Sequence, residues 1–163
     1  MDHSAYSDDY LRGILRRIRV LAMVGASPNW VRPSFFAMKY LQAKGYRVIP
    51  VNPLAAGEEI LRERVHATLE EIPDRFQMVD IFRNSAAAGP IVDEAIAVKD
   101  AKGIEIVWMQ LGVWNEEAAR RAERAGLQVV MNRCPKIEFG RLSGELSWGG
   151  VNSGIITARP LKI

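Results

Sequence analysis

Short apolar runs alternate with helix-like segments along most of this chain, and that alternation constrains the fold more than any other feature. Five largely apolar runs contain β-branched residues and are each followed by glycine or a polar residue: 20–24, 46–51, 78–82, 104–109 and 127–131. Continuous apolar runs are typical of strands that are covered on both faces. The sequence therefore predicts an α/β fold, a single-domain, Rossmann-like, doubly wound parallel sheet of about five strands with helices on both faces. The simplest strand order is 3-2-1-4-5.

Capping residues and apolar spacing place helices around these strands. Ser7 precedes two aspartates and an apolar stripe, which predicts an N-terminal amphipathic helix from about Ser7 to Arg17. Ser85 is predicted to cap the helix after the third strand, and Asn115 the helix after the fourth. The connection after the second strand is irregular, with a short strand expected near 59–61.

The composition fits one domain without a membrane span. At 163 residues and 48% hydrophobic content the chain can bury one core, and no stretch approaches the roughly 20 apolar residues of a transmembrane helix. The N-terminus lacks a secretory pattern, and Cys134 alone cannot form an internal disulfide, so we expect a cytoplasmic protein. The domain is predicted to span 1–142. The tail, 143–163, is predicted to pack on this domain or on a partner, which would include a second copy of the chain.

The charge pattern favours a small anionic ligand over nucleic acid. The net charge is +3, but the basic residues are dispersed and form no Lys/Arg run. No metal-ligand spacing stands out. His3 and His66 lie outside the segments that follow strands one, three, four and five, so no acid–base histidine is indicated and no catalytic residue is predicted.

Parallel α/β sheets bind ligands outside the carboxyl ends of their strands. The residues that follow the five predicted strands are therefore the candidate site: Gly25, Ala26, Ser27, Arg32, Pro33, Ser34; Asn52, Pro53; Arg83, Asn84, Ser85; Gln110, Leu111, Gly112, Val113; and Asn132, Arg133, Cys134, Pro135.

Three arginines are expected to converge on this edge, namely Arg32, Arg83 and Arg133. A small-residue turn at 25–27 lets the backbone approach a pyrophosphate, and guanidinium groups suit phosphate oxygens. A Gly-Ala-Ser turn is also common as a plain tight connection, and a single arginine after a strand often forms only a surface ion pair. The combination favours a ligand with more than one phosphate.

The usual nicotinamide-dinucleotide fingerprint is incomplete. That fingerprint requires three glycines and an acidic residue at the end of the second strand, whereas here only Gly25 matches and the strand ends in Val51, Asn52 and Pro53. No P-loop sequence is present either. A nicotinamide-dependent oxidoreductase remains an alternative. So does a thiol-redox role, because Cys134 lies beside Arg133 at the possible start of a helix, where its pKa could be depressed.

Several spaced motifs together resemble one family, the small stand-alone CoA-binding proteins related to the CoA-binding domain of the succinyl-CoA synthetase alpha subunit. In chain order they are VGAS, RPS, GYRVIPVNP, VDIFRNS, WMQLGV and VVMNRCP. The resemblance runs from about Leu11 to Leu142. It implies a Rossmann-like domain that binds coenzyme A or an acyl-CoA at the carboxyl edge of the sheet.

The resemblance also implies a role for each motif. Gly25, Ala26, Ser27 and Arg32 would meet the phosphates; Val51, Asn52 and Pro53 would lie against the adenosine; Phe82 and Arg83 would flank the nucleotide; and Gln110 to Val113 with Asn132 to Cys134 would line the pantetheine side. The synthetase carries its phosphorylated histidine in a second domain, for which this chain has no matching segment. We therefore expect a non-catalytic carrier, sensor or regulatory module, with a mixed disulfide between Cys134 and CoA as the redox alternative.

Overall fold

The structure is a computed structural model, and it describes residues 1–145. A central parallel sheet contains five strands: β1 (Val20–Val24), β2 (Arg47–Val51), β5 (Met78–Ile81), β6 (Ile106–Met109) and β7 (Gln128–Val130). A small antiparallel hairpin is formed by β3 (Glu59–Ile60) and β4 (Glu63–Arg64). The helices are α1 (Asp8–Arg17), α2 (Pro33–Ala43), α3 (Ser85–Lys102), α4 (Glu116–Arg124) and α5 (Pro135–Leu142), with a 3-10 turn at Pro53–Ala55.

The predicted α/β class is confirmed, and each sheet face carries its own hydrophobic core. Buried residues of α1, α2 and α5 pack on one face, while those of α3 and α4 pack on the other. The central strands β5 and β6 are buried along their whole length, which is why they read as apolar runs without alternation. None of the helices within residues 1–145 has the length and hydropathy of a membrane span.

The predicted strand order, 3-2-1-4-5, is wrong. The observed order is β2-β1-β5-β6-β7, so the third large strand lies beside the first and not outside the second. The outer edge of β2 is taken instead by the connection that follows it: the His66 N–H donates to the Pro50 carbonyl at 3.0 Å, and the Asn52 N–H donates to the His66 carbonyl at 2.9 Å. Arg47 adds an ion pair with Glu63 at 2.9 Å.

This order moves the point where the chain changes direction across the sheet to the boundary between β1 and β5. In open parallel sheets the ligand crevice lies at such a switch point. The loops after β1 and β5 therefore flank the expected crevice, and the loop after β2 lies one strand further out.

The helix ends agree with most of the capping predictions. The Ser7 Oγ accepts from the Tyr10 N–H at the start of α1, and the Asn115 Oδ1 accepts from the Ala118 N–H at the start of α4. The cap of α3 is Asn84 and not Ser85, because its side-chain oxygen accepts from the Ala87 N–H at 2.8 Å. The short strand near 59–61 is present as β3, and α5 begins directly after Cys134, where the sequence indicated a possible helix start. The predicted packing of the tail falls almost wholly on 146–163, outside the described residues.

Candidate functional site

A cleft of about 790 Å³ opens at the carboxyl edge of the sheet. It lies between the start of α2, the loops after β5 and β6, and the start of α5. Its walls are formed by Val31, Pro33, Phe36, Ala37, Phe82, Arg83, Asn84, Gln110, Leu111, Val113, Cys134, Lys136 and Ile137. Most of these residues are apolar, with a few polar groups, as is usual for a small-molecule site.

Gly25 brings the loop after β1 against the loop after β5. Its φ is +89°, and a Cβ atom at this position would lie 2.3 Å from the Phe82 carbonyl oxygen and 2.9 Å from the Arg83 side chain. Its N–H donates to the Val51 carbonyl at 2.8 Å. Only glycine allows both this conformation and this approach, so the turn is built for close backbone packing at the switch point.

The other small and amide residues of these loops hold the loops to one another. The Ser27 N–H donates to the Oγ of the buried Ser34 at 3.2 Å. The Asn52 Nδ2 donates to the Ala26 carbonyl at 2.9 Å, which ties the end of β2 to the turn after β1. These residues fix the shape of the edge.

Asn132 also holds two loops together, on the far side of the cleft. Its side-chain oxygen accepts from the Gly112 N–H at 2.8 Å, and its backbone φ is +55°. A left-handed conformation is tolerated by asparagine better than by most residues. Asn132 therefore joins the loop after β7 to the loop after β6 and leaves Leu111 projecting at the rim, 56% exposed.

Two of the three helices that begin at the cleft, α2 and α3, differ from α1 and α4 in their first turns. Acidic residues occupy the first turns of α1 and α4, but the first turns of α2 and α3 contain none. The N-cap of α2 is Arg32, which makes no side-chain capping hydrogen bond. The positive ends of the α2 and α3 dipoles therefore face the cleft without a carboxylate from their own first turns to neutralise them.

The three arginines do not all converge as predicted. Arg83 lines the cleft and Arg32 stands exposed at the start of α2, and neither side chain forms an ion pair with any described residue. Arg133 turns away: its guanidinium lies 3.6 Å from the Glu138 carboxylate and over the ring of Tyr6, at 5.7 Å from the centroid. Glu138, in the first turn of α5, forms the ion pair that holds the Arg133 side chain away from the edge.

Behind the cleft wall residue Gln110 lies a buried acid that the sequence analysis did not select. Asp80, on β5, is fully buried, and the Gln110 Nε2 donates to its two oxygens at 2.8 and 3.1 Å. Burial raises the pKa of Asp80 to about 8, and the hydrogen bond from Gln110 opposes that rise. A carboxyl group interrupting an otherwise apolar strand was the signal available in the sequence.

Cys134 lines the cleft as predicted, but the depressed pKa that the thiol-redox alternative requires is not found. The thiol is mostly buried, and burial raises its pKa above the ordinary value; the nearby Asp80 adds to the rise, while backbone N–H groups of α5 oppose it. A thiol whose pKa is raised holds little thiolate at neutral pH. Its place at the N-cap of α5 does not overcome the effect of burial.

The structure brings eight of the predicted site residues into the cleft walls: Pro33, Phe82, Arg83, Asn84, Gln110, Leu111, Val113 and Cys134. The remaining ones lie in the surrounding loops, and Val51 is buried at the end of β2. The sequence analysis missed five wall residues: Val31, Phe36, Ala37, Lys136 and Ile137. They belong to the entrances and first turns of α2 and α5, which a search restricted to strand ends does not reach.

Large apolar side chains exposed to solvent cluster at this edge. Among the described residues they include Trp30, Val31, Phe36, Leu54, Leu111 and Ile137. Phe36 and Ile137 stand on opposite walls of the cleft, 48% and 45% exposed. Scattered exposed hydrophobic residues are ordinary, but a group around one cleft marks a contact surface.

The two histidines lie away from the cleft. The His3 Nδ1 is 2.8 Å from the Tyr6 hydroxyl, and its Nε2 is 3.3 Å from the Glu123 carboxylate. His66 occupies the outer edge of β2. Within residues 1–145, no group of three or more His, Cys, Asp or Glu side chains is arranged to hold a metal ion.

Comparisons with known proteins agree with one another. A family model described as a CoA binding domain matches residues 19–140. An uncharacterized protein of Bacillus subtilis, YneT, is 33% identical over 127 residues, which is 78% of this chain and 90% of that protein.

Solved structures share the fold. A hypothetical protein from Pyrococcus horikoshii is 38% identical, with a TM-score of 0.78 over 87% of this chain and 99% of that chain. A dinucleotide-forming acetyl-coenzyme A synthetase from Ca. Korarchaeum cryptofilum, in complex with phosphate and ADP, gives a TM-score of 0.59 at 20% identity. That match covers 76% of this chain and 27% of the synthetase, and it shows a common fold.

Proposed function

Because this chain belongs to the CoA-binding domain family, we propose that it binds coenzyme A or an acyl-CoA in the cleft at the carboxyl edge, as a non-catalytic carrier, sensor or regulatory module. One observation carries the proposal. An edge with two arginines that form no ion pair with any described residue, and with a helix start that has no side-chain cap, adjoins a largely apolar cleft of about 790 Å³. Coenzyme A has this division, with its phosphates at one end and a long uncharged arm at the other.

The residues present fit the charged end of such a ligand. Gly25 allows backbone to approach closely, and the N-terminus of α2 lies directly after the same loop. Arg32 and Arg83 supply guanidinium groups with no competing carboxylate among the described residues. Phosphate oxygens are the natural partners of both kinds of donor. We assign the phosphates to Gly25, Ala26, Ser27 and Arg32.

The rest of the ligand is assigned along the edge. The adenosine would lie toward Val51, Asn52 and Pro53, with Phe82 and Arg83 flanking it. The pantetheine arm would run over the cleft floor, toward Gln110 and Cys134. Arg133 is left out of direct contact, since Glu138 and Tyr6 hold its side chain.

The titratable side chains around the cleft support a role in ligand binding without catalysis. The titratable side chains on its walls or beneath its floor are Arg83, Lys136, Cys134 and Asp80. The thiol of Cys134 has a raised pKa, and the carboxyl of Asp80 is sealed in the sheet. Neither group is presented as an activated nucleophile or general base.

The two alternatives raised from the sequence receive less support. A nicotinamide dinucleotide needs a carboxylate for its ribose at the end of the second strand, and Asn52 uses its amide on the Ala26 carbonyl and on the Leu54 N–H. A mixed disulfide with CoA needs a reactive thiol at Cys134, which its burial disfavours.

Isothermal titration calorimetry tests the proposal. CoA is expected to bind in the micromolar range or tighter, dephospho-CoA more weakly, and NAD⁺ weakest of the three. Arg32→Ala is expected to weaken CoA binding, whereas Arg124→Ala, which removes the same charge from the exposed end of α4, is expected to leave it unchanged. Tighter binding of NAD⁺ than of CoA would favour the oxidoreductase alternative, and no binding of CoA would overturn the proposal.

A further inference from the structure

The Gln110 side chain joins the buried acid in the sheet to the space of the cleft. The Gln110 Nε2 contacts both oxygens of Asp80, and Gln110 itself lines the cleft. Asp80 has no exposed surface. The protonation state of the Asp80 carboxyl group therefore affects the cleft through the carboxamide of Gln110.

The carboxamide oxygen of Gln110 is the atom that faces outward. It accepts no hydrogen bond from any residue in the described part of the chain, and it is not sealed from solvent. Its nitrogen is committed to Asp80, so this oxygen is the polar atom that Gln110 offers to a ligand. An amide oxygen is an acceptor only.

We propose that Asp80 is a positioning residue: in its ionised form it holds the Gln110 carboxamide with the oxygen toward the cleft, where that oxygen accepts a hydrogen bond from the pantetheine arm. This inference rests on the proposed function. The arm carries a hydroxyl group, amide N–H groups and, when it is not acylated, a terminal thiol as donors. A nitrogen that spans both carboxylate oxygens is the arrangement expected beside an ionised acid, which has no proton to donate.

Protonation of Asp80 changes what Gln110 can offer. The O–H of the neutral acid needs an acceptor in its dry surroundings, and the Gln110 oxygen is the near one. Pairing of acid and amide in this way takes the oxygen from the ligand. The ligand therefore prefers the ionised form, and its binding must release a proton.

The residues that neighbour Asp80 in the sheet are apolar, so we expect the released proton to come from Asp80 itself. Its register neighbours in the sheet are Met23 on β1 and Trp108 on β6, which are both apolar. From the α2 side the cleft wall is Ala37 and its apolar neighbours.

Other charged groups near the floor come from α5 and from the loop after β5. Cys134 interacts with Asp80 directly and stays protonated at neutral pH because its pKa is raised. Lys136 and Arg83 lie on the cleft walls. With its pKa raised to about 8, Asp80 is mostly protonated at pH 7 in the free protein.

Calorimetry in two buffers of different ionisation enthalpy counts the protons released when CoA binds. At pH 7.0 we expect about 0.9 proton per CoA, which follows from a pKa of about 8. The affinity for CoA is expected to increase about tenfold between pH 7 and pH 9, as the ionised fraction of Asp80 rises.

Two variants and a control test whether the proton released on CoA binding comes from Asp80. Asp80→Asn is expected to bind CoA with little proton release and with an affinity that no longer depends on pH in this range. Gln110→Met, which removes the acceptor, is expected to bind more weakly and also without release. Asp100→Asn, at a carboxylate on the surface of α3, is expected to behave as the unmodified protein. Unfolding curves check that each variant is folded.

The outcomes separate this inference from the proposed function. Binding of CoA without proton release, or equal release in Asp80→Asn, would overturn the role of Asp80 and leave the proposed function intact. Failure of the unmodified protein to bind CoA would overturn the proposed function, and this inference with it. Acetyl-CoA and desulfo-CoA test the thiol as the donor: loss of proton release with both assigns the donor to the thiol, and retention with both assigns it to the hydroxyl or an amide N–H of the arm.

Discussion

A Cβ atom on Gly25 would lie 2.3 Å from the carbonyl oxygen of Phe82. The chain leaving β1 and the chain leaving β5 therefore pack backbone against backbone at the boundary where the strand order changes direction. At Gly45, Gly57, Gly112 and Gly126, by contrast, nothing lies within 4 Å of the missing Cβ position. This contact sets the spacing of the two loops that flank the proposed phosphate position.

We expect the substitution Gly25→Ala to lower the free energy of unfolding by more than the strain of a left-handed backbone conformation alone. Adding a side chain at φ +89° costs about 1–2 kcal/mol in backbone strain, and the collision with Phe82 must also move one of the two loops. We expect the free energy of unfolding to fall by more than about 2 kcal/mol, with loss of CoA binding. Urea denaturation and calorimetry measure the two effects.

Gly45→Ala is the matched control for that substitution. Gly45 has φ +95°, but nothing lies within 4 Å of its missing Cβ position, so only the backbone strain of about 1 kcal/mol applies. We expect unchanged CoA binding. Equal loss of stability in the two variants would show that the approach to Phe82 does not matter.

Arg83→Ala is expected to weaken CoA binding about tenfold or more, because a charge-assisted hydrogen bond to phosphate contributes about 1.5–3 kcal/mol. Arg133→Ala is expected to change CoA binding little, since Arg133 is held by Glu138 and Tyr6. Calorimetry at two salt concentrations measures both variants. The reverse ranking would mean that the arginine prediction made from the sequence was right and that Arg133 leaves Glu138 when ligand binds.

The stability of the protein is expected to depend on pH through Asp80. The pKa of this carboxyl is raised to about 8 in the folded chain from an ordinary value of 3.8, so the folded state holds its proton over a range in which the unfolded state has lost it. The stabilising contribution is full below pH 4 and is lost as the pH rises to about 8. The free energy of unfolding attributable to this group therefore falls with rising pH.

The comparison of Asp80→Asn with the unmodified protein isolates that contribution. Relative to the unmodified protein, the variant should gain stability steadily between about pH 4 and pH 8 and show no further gain above that range. Urea denaturation at a series of pH values measures the difference. A difference that stays constant across the series would contradict the raised pKa.

The apolar walls of the cleft are expected to contribute to binding more than to stability. Phe36 and Ile137 are each about half exposed, so their truncation to alanine removes little packing, and we expect losses of less than about 1 kcal/mol in unfolding. The loss of contact with the ligand is expected to weaken binding several-fold. Val98→Ala, at a partly buried residue of α3 outside the cleft walls, serves as the control for binding.

Much of the sheet could be predicted from the sequence because its central strands are buried on both faces. Burial on both faces produces continuous apolar runs, and these locate β1, β5 and β6 closely. The strand order could not be predicted in the same way. It depends on hydrogen bonds between His66 and the edge of β2, and nothing in the local pattern around His66 indicates that pairing.

Some features of the candidate site could likewise be predicted from the sequence, and others could not. Residues that follow strands, such as Arg83 and Gln110, could be placed at the edge from topology alone. The direction of a long side chain could not, and Arg133 is the clearest case, since it lies at the right edge but pairs with Glu138. Lys136 was missed because the search stopped at the strand ends and did not continue into the first turn of α5.

The central claim is that CoA binds in this cleft with its phosphates beside Gly25. The most direct test is a titration of ¹⁵N-labelled protein with CoA, followed by amide chemical shifts. We expect the largest shifts at Gly25, Ser27, Arg83, Gln110 and Cys134, with the amides of α4 and the β3–β4 hairpin unaffected. Saturating CoA with no shifts in the loops after β1 and β5, or with the largest shifts elsewhere, would contradict the account.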